Sequence, residues 1–348
     1  MLLSHLLTGG LATRAVAHVR APEDQYIFIR QARSAVPEYV VTYAPIVYLY
    51  NTDPYRPSDI GAQLANTQPE VNFTVVSGAP KPLTLDNLNS LNNVGGNNTY
   101  LTSVDNVQTD PSWLYGVAPD CNGKTDGAIS CAIIVNDHGN GLVDAFYMYF
   151  YAFNYGGDYL DNIIGNHVGD WEHNMVRFQD GTPQAVWYSQ HDNGEAFTYN
   201  TTQKYTDGLR PIVFAANGSH ANYAINGTHG HGIPDINLPE GPINDFTNGG
   251  PIWDPTLSAY YYTYDAASAT FAAYGNDSAT PVNWLYFTGH WGDEQYPDSD
   301  PRQHEVLGIS GLAKYSSGPT GPVDKDLNRT QVCPDNGDLC ILRTELGP

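Results

Sequence analysis

Apolar residues in this chain come mostly in short runs separated by Gly, Pro, Asn and Asp, a rhythm of strands and turns rather than of long helices. The run from Leu142 to Asn154 (LVDAFYMYFYAFN) is the most aromatic. A nearly unbroken apolar strand of this kind is buried on both faces, which places it centrally in a sheet. After the glycine turn Tyr155-Gly156-Gly157-Asp158, the stretch from His167 to Phe178 (HVGDWEHNMVRF) alternates. As a strand it sets Asp170, Glu172 and Asn174 on one face and Trp171, His173 and Met175 on the other. The turn Asp180-Gly181-Thr182-Pro183 predicts a hairpin to the run from Gln184 to Gln190, with His191 at its far end. Further strands are expected from Tyr39 to Tyr50 (interrupted by Pro45), Cys131 to Asn136, Arg210 to Ala216, Tyr260 to Tyr264 and Trp284 to Thr288. A short helix within Pro54 to Asn66, capped by Ser58 or Asp59, and a second from Asp265 to Tyr274 complete the elements. The stretch Leu83 to Asn98 reads as irregular surface connection, and His229 to Trp253 as a Gly-, Pro- and Asn-rich loop. With no internal repeat and no linker, the pattern predicts an all-β chain. Residues 18–348 are expected to form one two-layer antiparallel β-sandwich with long loops, a few short helices and a disulfide-containing tail.

Composition sharpens this picture. Of 348 residues, 41% are hydrophobic and 12% aromatic, enough for a substantial core, and the net charge is −22. Such an acidic chain is a poor partner for nucleic acid and for an anionic membrane. Residues 1–17 end in Ala15-Val16-Ala17 after a largely apolar run and read as a cleaved leader. No later run is long and apolar enough to span a membrane. Seven sequons, at Asn72, Asn97, Asn200, Asn217, Asn226, Asn276 and Asn328, agree with a secretory route. The four cysteines fall as two close pairs, and Cys121–Cys131 with Cys333–Cys340 is the simplest of three connectivities.

The densest chemistry lies in the alternating strand. Two neighbouring carboxylates on one face need either a bound cation or a shared proton. His167, folding back across Gly169, joins them, and Asp158 or Asp161 in the preceding loop offers a further oxygen. His167, Asp170, Glu172 and Asp158 are therefore the candidate metal ligands, in a set that suits Ca²⁺, Mg²⁺ or Mn²⁺ better than Zn²⁺. In an acid–base reading, Glu172 acts with a flanking histidine, His173, His191 or His220. Tyr155, Ser219 and His290, in turns at strand ends, form the expected substrate-contacting rim. Ser219 lacks a G-x-S-x-G setting and reads as a turn residue, not a nucleophile. The plain structural alternative is that Asp170 and Glu172 bond turn amides while the histidines pack among aromatics.

Several blocks carry a family resemblance. Tyr43-Ala44-Pro45 through Leu49, Tyr55 to Ile60, Phe150 to Gly156, His167 to His173, Ser189-Gln190-His191, Gly218 to Ala221 and Gly289 to Asp293 resemble, in order, the fungal vacuolar protein sorting-associated protein sixty-two family. Locally, His167-x-x-Asp170-Trp171-Glu172 is similar to the central heptapeptide of the necrosis- and ethylene-inducing peptide-like proteins, secreted β-sandwiches that bind a divalent cation and glycosylated sphingolipid head groups. That likeness implies cation ligation by His167, Asp170 and Glu172, although Gly169 stands where those proteins carry a second histidine. Together these readings lead us to expect a secreted or vacuolar glycoprotein whose divalent-cation site binds a glycan or glycolipid head group. The alternatives are a metal-dependent hydrolase or lyase acting on polysaccharide, and a luminal sorting factor with a purely structural cation.

Overall fold

The computed structural model describes residue 33 and residues 35–159, 162–191, 193–231, 243–276, 278–306 and 312–347. The leader expected over residues 1–17, and Asp161, lie outside them. Eight strands form the main sheet, in the order Thr270–Ala273, Ala259–Asp265, Cys131–Gly139, Leu142–Asn154, His167–Gln179, Thr182–Gln190, Asn193–Thr198 and Leu342–Arg343. A second sheet has the order Asn222–Tyr223, Ile212–Ala215, Ile46–Tyr48 and Ile252–Trp253. Most pairings are antiparallel. The parallel ones join Ile46–Tyr48 to Ile212–Ala215, Ala259–Asp265 to Cys131–Gly139, and Asn193–Thr198 to Leu342–Arg343. The chain is all-β, and the two sheets face each other as a sandwich.

Alternation within the central strands decides what each face does. Tyr147, Tyr149, Tyr151, Val176 and Phe178 enter one core with Val47, Val213 and Trp253 of the second sheet. Trp253 meets Tyr149 and Tyr151 edge-on, with ring centroids 5.1 and 6.1 Å apart. On the other face, Phe146, Phe150, Trp171 and Met175 lie under Leu88, Trp284, Phe287 and Trp291. Trp291 packs against Trp171 and Trp284 at 5.4 and 5.7 Å, and aromatic pairs of this type add about 0.5–1.5 kcal/mol each beyond their buried area. Because both faces are covered, every residue of Leu142–Asn154 after the first is buried, as its unbroken apolar sequence requires. The helix Ile60–Asn66 forms where expected, with Asp59 accepting from the Ala62 amide at 2.7 Å.

Five expectations are corrected. From Glu38 to Thr42 the chain is a helical turn, not a strand. Pro37 presets its entry, and the Tyr147 hydroxyl bonds the Val40 carbonyl at 2.6 Å. The stretch from Asp265 to Tyr274 is not helical despite its alanines. Asp265 takes the amides of Ala267 and Ser268 into a turn, and Thr270–Ala273 pairs back on Ala259–Asp265. Trp284 lies in a 3₁₀ turn, Asn283–Tyr286, that delivers its indole to the Tyr262 hydroxyl at 3.0 Å. The two presumed loops are also structured. Leu88 and Leu91 are fully buried, and Gly227–His231 pairs with Ile243–Thr247 as a hairpin. Finally, Cys333 and Cys340 form a disulfide, but Cys121 and Cys131 are both free thiols. Cys131 opens its strand pointing into the core between the sheets, whereas Cys121 sits in an exposed turn closed by Asp120, out of its reach.

Candidate functional site

The two strands carrying the densest chemistry are paired so that Tyr151 lies opposite Asp170 and Tyr149 opposite Glu172. The carboxylate face therefore turns inward toward the second sheet, and Trp171 and His173 turn outward, as alternation requires. Gly169 adopts a φ of +65°, and a Cβ there would lie 2.1 Å from the Trp291 carbonyl oxygen. Any side chain at this position would meet the Trp291 backbone, so the turn requires glycine.

Asp170 and Glu172 are 5% and 4% exposed. His220 donates from Nδ1 to Asp170 Oδ2 at 2.8 Å, and its ring lies parallel to Tyr151 with centroids 3.7 Å apart. The other ring nitrogen faces Asp53 Oδ2 at 3.5 Å. Asp53 also accepts from the amides of Gly218 and Tyr55, at 2.7 and 2.9 Å. Glu172 accepts a short hydrogen bond from the Ser189 hydroxyl. Burial, reinforced by the charge of Asp170, pushes the Glu172 carboxyl up to about 8, although Ser189, His191 and Lys325 pull the other way. A carboxyl raised this far keeps its proton at neutral pH, which is one of the two ways two adjacent carboxylates can be accommodated, a bound cation being the other.

A second hub adjoins the first. Asp245, from the hairpin strand Ile243–Thr247, accepts from Ser219 Oγ at 2.6 Å, Tyr223 OH at 2.7 Å and His191 Nε2 at 2.8 Å. Desolvation works against a charged His191, but Asp245, with Glu172 and Asp170, outweighs it and holds the imidazole at about 9. Some 33% of the His191 side chain is exposed, so this ring links the buried network to the surface. His167 is lowered, chiefly by burial, against the opposing pull of Asp170. Both His191 and His220 have left-handed backbones, with φ of 54° and 57°. Strain of this kind persists only where surrounding contacts fix it.

The predicted residues thus divide. His167, Asp170, Glu172, His191, Ser219 and His220 share this end of the sheet. His173 points to the opposite face, where the buried Arg329 donates to its Nε2 at 2.8 Å and burial holds it neutral. His290 stacks on Tyr100 and bonds the Gly318 carbonyl, apart from the network. Asp158 is exposed and accepts from Tyr155 OH at 3.3 Å. His167 Nδ1 is taken by the Gly169 carbonyl at 2.7 Å. Among the described residues, no group of three or more His, Cys, Asp or Glu is placed to hold a metal ion.

Sequence reasoning missed Asp53, Tyr151, Tyr223 and Asp245. Asp53 bonds an amide 165 positions away and Asp245 a histidine 54 positions away, so no local period marks either. Among the described residues, no helix is long and apolar enough to cross a membrane.

Comparison with known proteins places this site in a family. The family model described as vacuolar protein sorting-associated protein 62 matches residues 158–309, which include the carboxylate strand, His191 and Asp245. Vacuolar protein sorting-associated protein 62 of Saccharomyces cerevisiae is 34% identical over 330 residues, covering 86% of this chain and 68% of the relative. TDA6 of the same yeast, whose name places it provisionally among vacuolar protein sorting-associated proteins, is 38% identical over 327 residues with the same coverage. A solved structure of the non-toxic protein HaNLP3 aligns with 67% of this chain and 75% of its own at 12% identity, with a TM-score of 0.24. Identity of this extent across most of the fold makes the chain a member of the vacuolar protein sorting-associated protein 62 family.

Proposed function

We propose that this protein acts in vacuolar protein sorting as a luminal or secreted binding protein. Its ligand, a glycan or glycolipid head group, docks at the sheet end that carries the proton-holding carboxylate pair. The names of the yeast relatives support the sorting role. The single observation that supports a binding site is the adjacent, buried Asp170–Glu172 carboxylate pair beside the partly exposed His191 and His167. Tyr151 OH and His220 Nε2 are buried there without a hydrogen-bond partner among the described residues, and such atoms call for ordered water or ligand. Retention of protons on Glu172 and His191 favours the native state in an acidic lumen. The test is rescue of a yeast strain lacking both relatives, scored by secretion of a vacuolar hydrolase. The wild-type chain should restore retention and Asp170→Asn should not. A folded, correctly delivered wild-type chain that leaves the hydrolase missorted refutes the sorting role.

A second reading replaces the shared proton with a divalent cation, and it rests on the adjacency of the same two carboxylates. Metal content and melting temperature with and without chelator, in wild type and Asp170→Asn, decide it. A protein free of metal and indifferent to chelator excludes it.

A further inference from the structure

A group of aromatic side chains borders the carboxylate network at the same end of the sheet. Tyr55, Trp113 and Tyr155 are half-buried against a small cluster built on Phe153 and Leu114. Tyr115 extends the group, its ring parallel to Tyr55 within 8° and centred 5.6 Å away. Two exposed carboxylates flank these rings. The Tyr115 hydroxyl donates to Asp110 through a short bond, and that of Tyr155 to Asp158. Burial and the surrounding carboxylates, with Asp110 first among them, push the Tyr55 hydroxyl up to about 12, so this phenol stays neutral.

The group is continuous with the polar network. Asp53, which faces His220, also accepts from the Tyr55 amide. The Tyr155 amide donates to the Gly218 carbonyl at 2.9 Å. A Cβ on Gly218 would lie 2.6 Å from the Tyr155 carbonyl oxygen, so this contact requires glycine. Such a bridge holds the rings at a fixed position relative to Asp170 and His220.

From this juxtaposition we infer that Tyr55, Trp113, Tyr115 and Tyr155, with Asp110 and Asp158, form a stacking subsite for an uncharged sugar ring. The inference deepens the proposed binding function and rests on that reading. A pyranose presents an apolar C–H face to an aromatic ring and donates equatorial hydroxyls to carboxylates at the ring's edge. Rings held by their neighbours lose little side-chain entropy on binding, which favours them as anchors. Charge narrows the ligand class. With a net charge of −22 and two carboxylates at the rim, an acidic sugar or a phosphorylated head group is repelled, and a neutral saccharide is not.

The test is saturation-transfer difference NMR on the full chain with mannobiose, cellobiose, lactose and maltose as neutral probes. Glucuronic acid serves as the anionic arm and choline as the cationic arm. At least one neutral disaccharide should show transfer to its ring protons. Tyr115→Ala should weaken that binding about tenfold, while Tyr115→Phe, which keeps the ring, should weaken it less than threefold. Should Tyr115→Ala fail to fold, Asp158→Asn substitutes for it and should weaken the same disaccharide severalfold. No transfer to any neutral probe, transfer to choline or glucuronic acid alone, or a signal indifferent to Tyr115→Ala overturns the inference. These outcomes are separate from hydrolase retention in yeast, so the subsite can fail while the sorting role stands.

Discussion

Replacing Glu172 by glutamine probes the network with little change of shape, because the amide mimics the protonated carboxyl. The native carboxyl keeps its proton up to about 8, whereas an ordinary glutamate releases it near 4.5. As the pH rises from 4.5, the unfolded chain releases this proton and the native protein keeps it. Stability attached to Glu172 is therefore complete below 4.5 and is lost as the pH climbs toward 8. At about 1.4 kcal/mol per pH unit, the loss reaches about 3 kcal/mol at pH 7. Glutamine does not ionise and escapes it. In a chain of 348 residues, a kilocalorie moves the melting temperature by about 2 °C. Glu172→Gln should therefore melt about 6 °C above wild type at pH 7, and within about 1 °C of it at pH 4.5. Differential scanning fluorimetry across pH 4.5–8.5 reads this directly. His191 adds a slope of the same sign from 6.5 toward 9; Asp245 contributes more to it than Glu172 does, so most of it is common to both proteins. The lowered His167 acts only on the acid side and cancels. Melting curves that run parallel at every pH would refute the reasoning.

Asp170→Asn replaces the carboxylate that His220 Nδ1 bonds by an amide that packs and pairs less well there, and should destabilise by about 1–3 kcal/mol in urea titration, the usual effect of disturbing a buried hydrogen bond. Gly169→Ala forces a Cβ against the Trp291 carbonyl in a left-handed backbone and should cost more than about 2 kcal/mol, or prevent folding, as read by yield and melting temperature. Ellman's reagent should label one thiol, the exposed Cys121, in the native protein and two after unfolding, with the Cys333–Cys340 bridge intact throughout.

The sequence made the sheet and half of the site legible, for a physical reason. Strand alternation is local, so the division of Asp170 and Glu172 from Trp171 and His173 follows from position alone. The aromatic run ending at Asn154 announces its own burial, and the Asp59 cap lies next to the helix it starts. What stayed hidden depends on distant chain. Asp53 and Asp245 become site residues only when strands far apart in sequence converge on His220 and His191. The spacing of Cys121 and Cys131 suits a bridge, but the sheet register commits Cys131 to the core. Ala-rich and Val-rich segments followed side-chain hydrogen bonds at Asp265 and Tyr147 against their intrinsic propensities.

At neutral pH the Asp170–Glu172 pair is expected to hold a proton. Carbon-13 NMR of protein labelled at the glutamate side-chain carboxyl, with Glu172→Gln identifying the resonance, measures this directly. We predict that the Glu172 signal titrates with a midpoint near 8. A midpoint near the ordinary glutamate value of 4.5 would show both carboxylates ionised at neutral pH and contradict a retained proton.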